Sequence, residues 1–276
     1  MTVYDLHSHS TASDGILSPL ELARRAAGQG VNVLALTDHD DLCGLSEARA
    51  EAEIHGMELV AGVEISITWR HTTVHIVGLR VDPENEILVQ GLCRNREGRA
   101  LRARLMAAEL EKLGVRDALA GAYTYAGNKD LIGRTHFARY LVEYGLVKDV
   151  KTVFKKYLVK GKPGYVHHEW ASLADALGWI RAAGGLSVLA HPGRYHFGRE
   201  RMRDLLREYK ELGGDAIEVV TGSHTADQVP LFAELAVEFD FLASVGSDFH
   251  APGEGGRELG RLMALPARCR PVWEAW

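Results

Sequence analysis

Asp5-Leu6-His7-Ser8-His9-Ser10, close to the start of the chain, decides how the rest is read. The segment reads as a β-strand, in which residues two apart point to one face, so the His7 and His9 imidazoles converge. A counterpart lies near the other end. There the apolar run Phe241 to Val245 leads into Ser247-Asp248-Phe249-His250, again with two ligand-type side chains two apart. Between them come Asp14, Thr37-Asp38-His39-Asp40, Gly62-Val63-Glu64, His75 and Ala190-His191-Pro192, each on or after a short apolar run of buried-strand character. Imidazole and carboxylate are ligands for zinc, manganese and iron. One histidine at a strand end is ordinarily a hydrogen-bonded structural residue. Nine His, Asp and Glu side chains placed this way instead predict a polynuclear metal site in the mouth of an α/β barrel, at the C-terminal ends of its strands.

Composition agrees with such a barrel. The chain has 276 residues and is 46% hydrophobic, and a single α/β barrel needs about 250 residues. No uninterrupted apolar window of about 18 residues suggests a membrane span, and no basic-then-apolar leader is visible at the start. Cys43, Cys93 and Cys269 are odd in number and scattered. They form neither a disulfide framework nor a cysteine metal motif, so a cytoplasmic protein with free thiols is expected. Net charge is -5, unevenly spread: residues 91–166 hold 16 Lys and Arg against 7 Asp and Glu. Cations would neutralise the acidic remainder, which contains the ligand set, while the basic segment suggests a polyanionic ligand.

Local signals place the elements. Ser18, Pro19 and Glu21 predict a capped helix with Leu20, Ala23 and Ala27 on its apolar face, ended by Gly28 and Gly30. Val31–Leu36 reads as a strand and 44–55 as a helix. Leu59–Ile67 and Thr73–Leu79 read as strands around a turn near Arg70-His71. From Asp82-Pro83 the pattern turns helical, with helices over about 85–114, 130–145 and 149–158 and no barrel-type strand. The expected organisation is a barrel built from residues 1–83 and 166–276, with an inserted mainly helical domain over 84–165. Alternation resumes at Ser172, whose pairing with Asp175 caps a helix. Strands follow at 186–190, 216–220 and 242–245, with helices at 199–212 and 226–239, the former carrying Leu205, Leu206, Tyr209 and Leu212 on one side. The total is seven strands. The last ten residues, from Ala267, show no clear role.

Two metals about 4 Å apart, bridged by a carboxylate, stabilise both the attacking and the leaving oxygen of a phosphoryl displacement and lower the pKa of water to near neutrality. Glu64 is the natural bridge. Nine ligands exceed what two ions use and suit three, with Glu64 shared. Neither a nucleophile elbow nor a phosphate loop is present, so a metal-activated water is the expected nucleophile, with Glu64, Asp248 and His250 as the catalytic group.

His7-x-His9, Thr37-Asp38-His39, Gly62-Val63-Glu64, His75, Ala190-His191-Pro192 and Ser247-Asp248-Phe249-His250 together resemble the motifs of the PHP (polymerase and histidinol phosphatase) superfamily over nearly the whole chain. The resemblance implies a distorted (β/α)7 TIM-like barrel with three divalent ions, Mn2+ first and Fe2+ or Zn2+ as alternatives. It implies His7, His9, Glu64 and Asp248 on one ion; Glu64, His75 and His191 on a second; and Asp14, His39 and His250 on a third. Arg134-Thr135-His136-Phe137-Ala138-Arg139, Lys160 to Val166 and Ala190 to Tyr195 look like the nucleoside 3',5'-bisphosphate phosphatase branch. That branch implies removal of the 3'-phosphate of adenosine 3',5'-bisphosphate to give AMP, and it is similar to 5'-3' exonucleases that trim short 5'-phosphorylated oligoribonucleotides.

A substrate with two phosphates needs cations besides the metals. Arg134 and His136 are the first choice for the distal phosphate and Arg194 the second, with Ser223 and His224 as further candidates. Of His167 and His168, at most one reaches the site. Lys148, Lys151, Lys155 and Lys156 read as a solvated face, and Tyr123, Tyr125, Tyr140 or Phe197 as possible base-stacking residues. Two other readings stand beside this one. A histidinol phosphate phosphatase acts on a monophosphate with a cationic end, which a basic insert opposes. A non-catalytic nucleic-acid-associated module would show eroded ligands, and here each ligand type is intact.

Overall fold

The structure is a computed structural model and describes residues 2–254 and 257–276. Seven strands form one sheet in chain order: β1 (Tyr4–Asp5), β2 (Val33–Leu36), β3 (Glu58–Trp69), β4 (Thr72–Leu79), β5 (Leu186–Leu189), β6 (Ala216–Thr221) and β7 (Leu242–Gly246). The first and last strands meet. Leu6 N–H donates to Val245 O at 3.0 Å and Asp248 N–H to His7 O at 2.9 Å, and Ser8 bridges Phe249 in parallel. The buried Asp5 carboxylate strengthens this seam by accepting from Ser247 N–H and Gly260 N–H, each at 2.8 Å. The result is the expected distorted barrel.

Helices α1 (Pro19–Gly28), α2 (Leu45–Ile54), α7 (Leu173–Ala182), α8 (Arg199–Glu211) and α9 (Gln228–Glu238) alternate with the strands. The capping boxes expected at Ser18/Glu21 and Ser172/Asp175 both form. The apolar face of α1 is Leu22, Ala23 and Ala26 rather than Leu20, Ala23 and Ala27, because Leu20 and Ala27 sit one step round the helix toward solvent. On α8 the fourth buried residue is Met202, and Leu212 lies exposed beyond the last turn. The C-terminal residues close the lower end: Pro271 bridges Ala243, Val272 is buried, and Trp273 stacks on Tyr4 with ring centroids 4.0 Å apart.

Two departures from regular alternation matter for the site. His7 and His9 lie beyond β1, in extended backbone held by the Ser8–Phe249 bridge. β4 runs antiparallel to both β3 and β5. Arg70 and His71 at the β3–β4 turn both take positive φ, 42° and 62°, the backbone of a tight hairpin. Glu64 and His75 are therefore mid-strand residues of a long hairpin, not residues at strand C-termini, and the reversal of β4 puts its first half at the mouth.

Between β4 and β5 the chain is helical: α3 (Glu86–Glu111), α4 (Ala118–Thr124), α5 (Arg134–Glu143), α6 (Val150–Val153) and a π-helical turn (Phe154–Leu158). Here α4 was not expected, and a single-turn α6 plus the π turn replace one longer helix. Leu88 and Leu92 in the first half of α3 pack into the barrel core beside Trp179 and Ile180. A separate apolar cluster begins at Ala103 and includes Leu110, Phe137, Leu141, Val153 and Leu158. The change of partner thus falls inside α3 rather than at 83/84. No helix among the described residues is long and apolar enough to cross a membrane.

Candidate metal centre

The nine expected ligands gather in one bowl, with Glu64 at its centre. Its Oε1 lies 2.8 Å from His75 Nδ1 and 2.9 Å from His191 Nε2. Its Oε2 lies 3.0 Å from His39 Nδ1, 3.3 Å from His9 Nε2 and 3.4 Å from His7 Nε2. Asp248 Oδ1 sits 3.3 Å from His9 Nε2 and 3.5 Å from His7 Nε2, and Asp14 Oδ1 sits 3.2 Å from His250 Nε2. Donor atoms close enough to share an ion fall into three groups: His7, His9, Glu64 and Asp248; His9, Asp14, His39 and His250; and His39, Glu64 and His75.

The residues fit divalent metals on the chain's own evidence. Asp14 Oδ1, His39 Nδ1, Glu64 Oε2, His191 Nδ1 and Asp248 Oδ1 are buried atoms without a hydrogen-bond partner. A folded protein rarely leaves such atoms orphaned in one place unless a ligand completes them. Burial alone would push the Glu64, Asp248 and Asp14 carboxyls up, but the surrounding imidazoles outweigh it and hold all three well below the carboxylate range. Burial pushes His75 and His191 down to about 4, while at His7 and His9 the surrounding carboxylates outweigh burial and push those two rings up, His9 to about 10. A divalent cation among these carboxylates would take the place of the protons on His7 and His9.

Groups behind the ligands set their orientation. Glu218 is buried on β6; its Oε1 is 2.8 Å from His7 Nδ1, and its Oε2 accepts from the His191 backbone N–H. A ligand imidazole that donates its second N–H to a carboxylate is fixed in tautomer and aim. Gly246 makes room for this: a Cβ there would lie 2.3 Å from His7 Cβ and 3.0 Å from Glu218 Oε1. Asp38 accepts from Ser10 N–H at 2.8 Å and from the Ser10 and Ser13 hydroxyls, which locks the loop after His9. Sequence reasoning missed Glu218, although a lone carboxylate inside the apolar run Ala216 to Val220 was its signal.

Above the bowl a cleft is walled by the inserted helices. Arg99, Arg102, Arg134 and Arg194 line it, with Trp170, Phe154 and Leu131 as its apolar surfaces. Arg99 pairs with Asp40 and Arg194 Nη1 reaches Asp248 Oδ2 at 2.6 Å. Arg102 and Arg134 meet no carboxylate among the described residues. Burial pulls Arg102 down to about 9, and the neighbouring Arg134 and Arg99 add to the effect. Arg99 and Arg102 both lie over the Trp170 ring, at 4.7 and 5.4 Å.

The other expected substrate residues sit elsewhere. His136 is buried at the start of α5, where its Nδ1 accepts from Gly133 N–H at 3.0 Å; it caps a helix and does not line the cleft. His224 is stacked on Phe232, accepts from Gly193 N–H at 3.1 Å through Nε2 and donates to Val219 O at 3.1 Å through Nδ1. Both ring nitrogens are thus used within the fold, and Ser223 beside it is exposed and outside the cleft. Tyr123 and Tyr140 pack on the insert's own core, and Phe197 packs on Trp69 and Tyr195. Of the adjacent pair, His168 turns inward onto Trp170 while His167 is exposed and meets Glu169.

A barrel mouth that gathers eight imidazoles and carboxylates into three overlapping groups, with His191 outside those groups but 2.9 Å from Glu64, defines a class, the metal-dependent hydrolases. The chain belongs to the PHP domain family, whose model matches residues 5–222. It is 52% identical, over 99% of its length and 96% of the relative's, to a 3',5'-nucleoside bisphosphate phosphatase of Chromobacterium violaceum. It is 46% identical, over 98% of each chain, to a 5'-3' exoribonuclease of Haemophilus influenzae. A solved structure described as an amidohydrolase from Chromobacterium violaceum, with bound sulfate and no metal, superposes with a TM-score of 0.96 at 50% identity, covering 99% of this chain and 95% of that one.

Proposed function

We propose that the protein hydrolyses the 3'-phosphate of nucleoside 3',5'-bisphosphates to give a nucleoside 5'-phosphate and inorganic phosphate. By the same geometry it trims short 5'-phosphorylated oligoribonucleotides from the 5' end. One observation carries the reading: a bowl of metal-ligand side chains faces unneutralised guanidiniums across one cleft. The bowl suits the phosphorus under attack, and Arg102 and Arg134 suit a second phosphate held at a distance. Trp170 and Phe154 offer faces for the nucleoside between them. The names of the relatives from Chromobacterium violaceum and Haemophilus influenzae support the two substrate classes.

His7, His9, Asp14, His39, Glu64, His75, His191, Asp248 and His250 would hold three divalent ions, Mn2+ or alternatively Fe2+ or Zn2+. When bound, such ions supply Lewis-acid charge and a water activated near neutral pH. Glu64, Asp248 and His250 keep that assembly in register, and Glu218 aims His7. Arg194, held by Asp248 at the rim, orients the phosphate that is to leave. Of the inserted residues 84–165, the part from Ala103 onward, which has its own apolar cluster, acts as the substrate lid. The free thiols of Cys43, Cys93 and Cys269 support a cytoplasmic setting.

Supplying adenosine 3',5'-bisphosphate, 5'-phosphorylated di- to pentanucleotides and histidinol phosphate side by side, with Mn2+, Fe2+ or Zn2+, tests the proposal. Phosphate release from the bisphosphate and mononucleotide release from the oligonucleotides are expected, both lost by orders of magnitude in Glu64→Gln. Preference for histidinol phosphate, or full activity of metal-replete Glu64→Gln, would overturn it.

A further inference from the structure

The lysines of one basic segment play no part in the cleft chemistry described above. Between Asp149 and Glu169 the chain holds no carboxylate and carries Lys151, Lys155, Lys156, Lys160 and Lys162. All five are exposed, and none pairs with a carboxylate among the described residues. Asp149 itself is occupied, accepting from the Thr152 N–H and hydroxyl at 2.8 Å each.

The segment is a built loop tied to the cleft wall at both ends. At its start Phe154 lines the cleft, with the Arg134 guanidinium 5.8 Å from its ring centre. At its end the Val166 carbonyl accepts from Arg102 Nε at 3.2 Å. In between, Val153 and Leu158 are buried in the insert's core, Gly164 N–H donates to Tyr157 O at 2.8 Å, and Lys162 N–H donates to Val159 O at 3.0 Å. The π turn at Phe154–Leu158 places Lys155 and Lys156 directly after the ring that lines the cleft.

Exposed lysines repel one another only weakly in salt, but five of them without a carboxylate, on a loop tied down at both ends, present a positive field that favours a polyanion. A nucleoside bisphosphate is too small to extend past Phe154 to five lysines. A single strand is long enough, and its backbone repeats a charge at each nucleotide. Resting on the reading above, we propose that Lys151, Lys155, Lys156, Lys160 and Lys162 form a track for the phosphodiester backbone of a single-stranded oligonucleotide whose 5' end occupies the cleft. The protein is then built for a strand rather than for a mononucleotide alone. The lysines contact phosphates, not bases, so the track carries no sequence preference.

Lys151→Ala, Lys155→Ala, Lys156→Ala and Lys160→Ala in one chain test this, since all four side chains are exposed. Binding of 5'-phosphorylated phosphorothioate oligonucleotides of two to eight residues is read by fluorescence anisotropy over a salt series. Wild type should bind more tightly as the strand lengthens, and its salt slope should steepen by about 0.7 for each added phosphate contact. In the variant both trends should flatten, while turnover of adenosine 3',5'-bisphosphate stays unchanged. Length dependence retained in the variant, equal loss of bisphosphate turnover, or lysine-dependent binding to anionic lipid vesicles in place of oligonucleotide would overturn the track. Absence of bisphosphate turnover in wild type, together with lysine-dependent strand binding, would overturn the catalytic reading and leave the track standing.

Discussion

Glu64 concentrates the logic of the site in one side chain: its two oxygens face five imidazoles, so no ligand group is independent of the others. Glu218 shows how such a residue is supported. Replacing it by Gln keeps the size but removes the charge that fixes the His7 tautomer and satisfies His191 N–H. Metal affinity of Glu218→Gln, measured by titration with a chelating indicator, is expected to fall about 10- to 100-fold with the fold intact by circular dichroism. The ligands were legible because histidines and carboxylates stand out against apolar strands, and their spacing survives without knowledge of the topology. Arg99 and Arg102 were not legible. On an arginine-rich helix nothing local separates a cleft-facing guanidinium from a solvated one, and their role emerges only where Asp40 and Trp170 meet them.

Among the elements, α5 illustrates a residue whose type was read correctly and whose job was not. His136 caps the helix through an unprotonated Nδ1, and burial pulls its pKa down to about 4 from 6.5. A histidine depressed in the folded state is protonated first in the unfolded chain. Its neutral form is compatible with folding above pH 6.5, and stability is lost as pH falls from there toward 4. His136→Asn should therefore shallow the decline in unfolding free energy between pH 6.5 and 4, as followed by urea titration, compared with wild type. A residual slope from His75 and His191, which are also depressed, is expected in both proteins. Capping boxes were legible because they are written in four consecutive residues. The reversal of β4 was implied by the short turn near Arg70-His71, since parallel neighbours need a crossover of a dozen or more residues. Its pairing with β5 across the insert was not, because no local signal spans residues 80–185. The phase of α1 was missed because Leu20 and Leu22 both fit an apolar helix, and only packing chooses between them.

On the scale of the whole molecule, the ligands come from both ends of the chain, so ions at the mouth would cross-link β1, β2, β3, β4, β5 and β7. Anything that binds the folded form alone stabilises it by mass action. Ions held at about 100 times their dissociation constant contribute about 2.7 kcal/mol, or roughly 5–10 °C in Tm for a chain of this size. Scanning calorimetry after exhaustive chelation should show a Tm lower by that amount, restored by added Mn2+; an unchanged Tm would mean that no ion sits in the bowl. The barrel as a class was readable from alternation and length. The seam between β1 and β7, and the closure of the lower end by Trp273, depend on residues far apart in sequence and left no local trace.

The backward strand has an architectural outcome. A helix that follows an ordinary barrel strand descends away from the mouth, and anything grafted onto its far end would hang beneath the molecule. Because β4 descends, α3 climbs. It sets out beside Trp179 and Ile180, passes the ligand loop at Asn95 and Arg99, and ends among the insert's own apolar residues from Ala103 to Leu110. A single inverted turn in the scaffold thereby let a helix that begins beneath the barrel carry its outgrowth up over the ligand bowl.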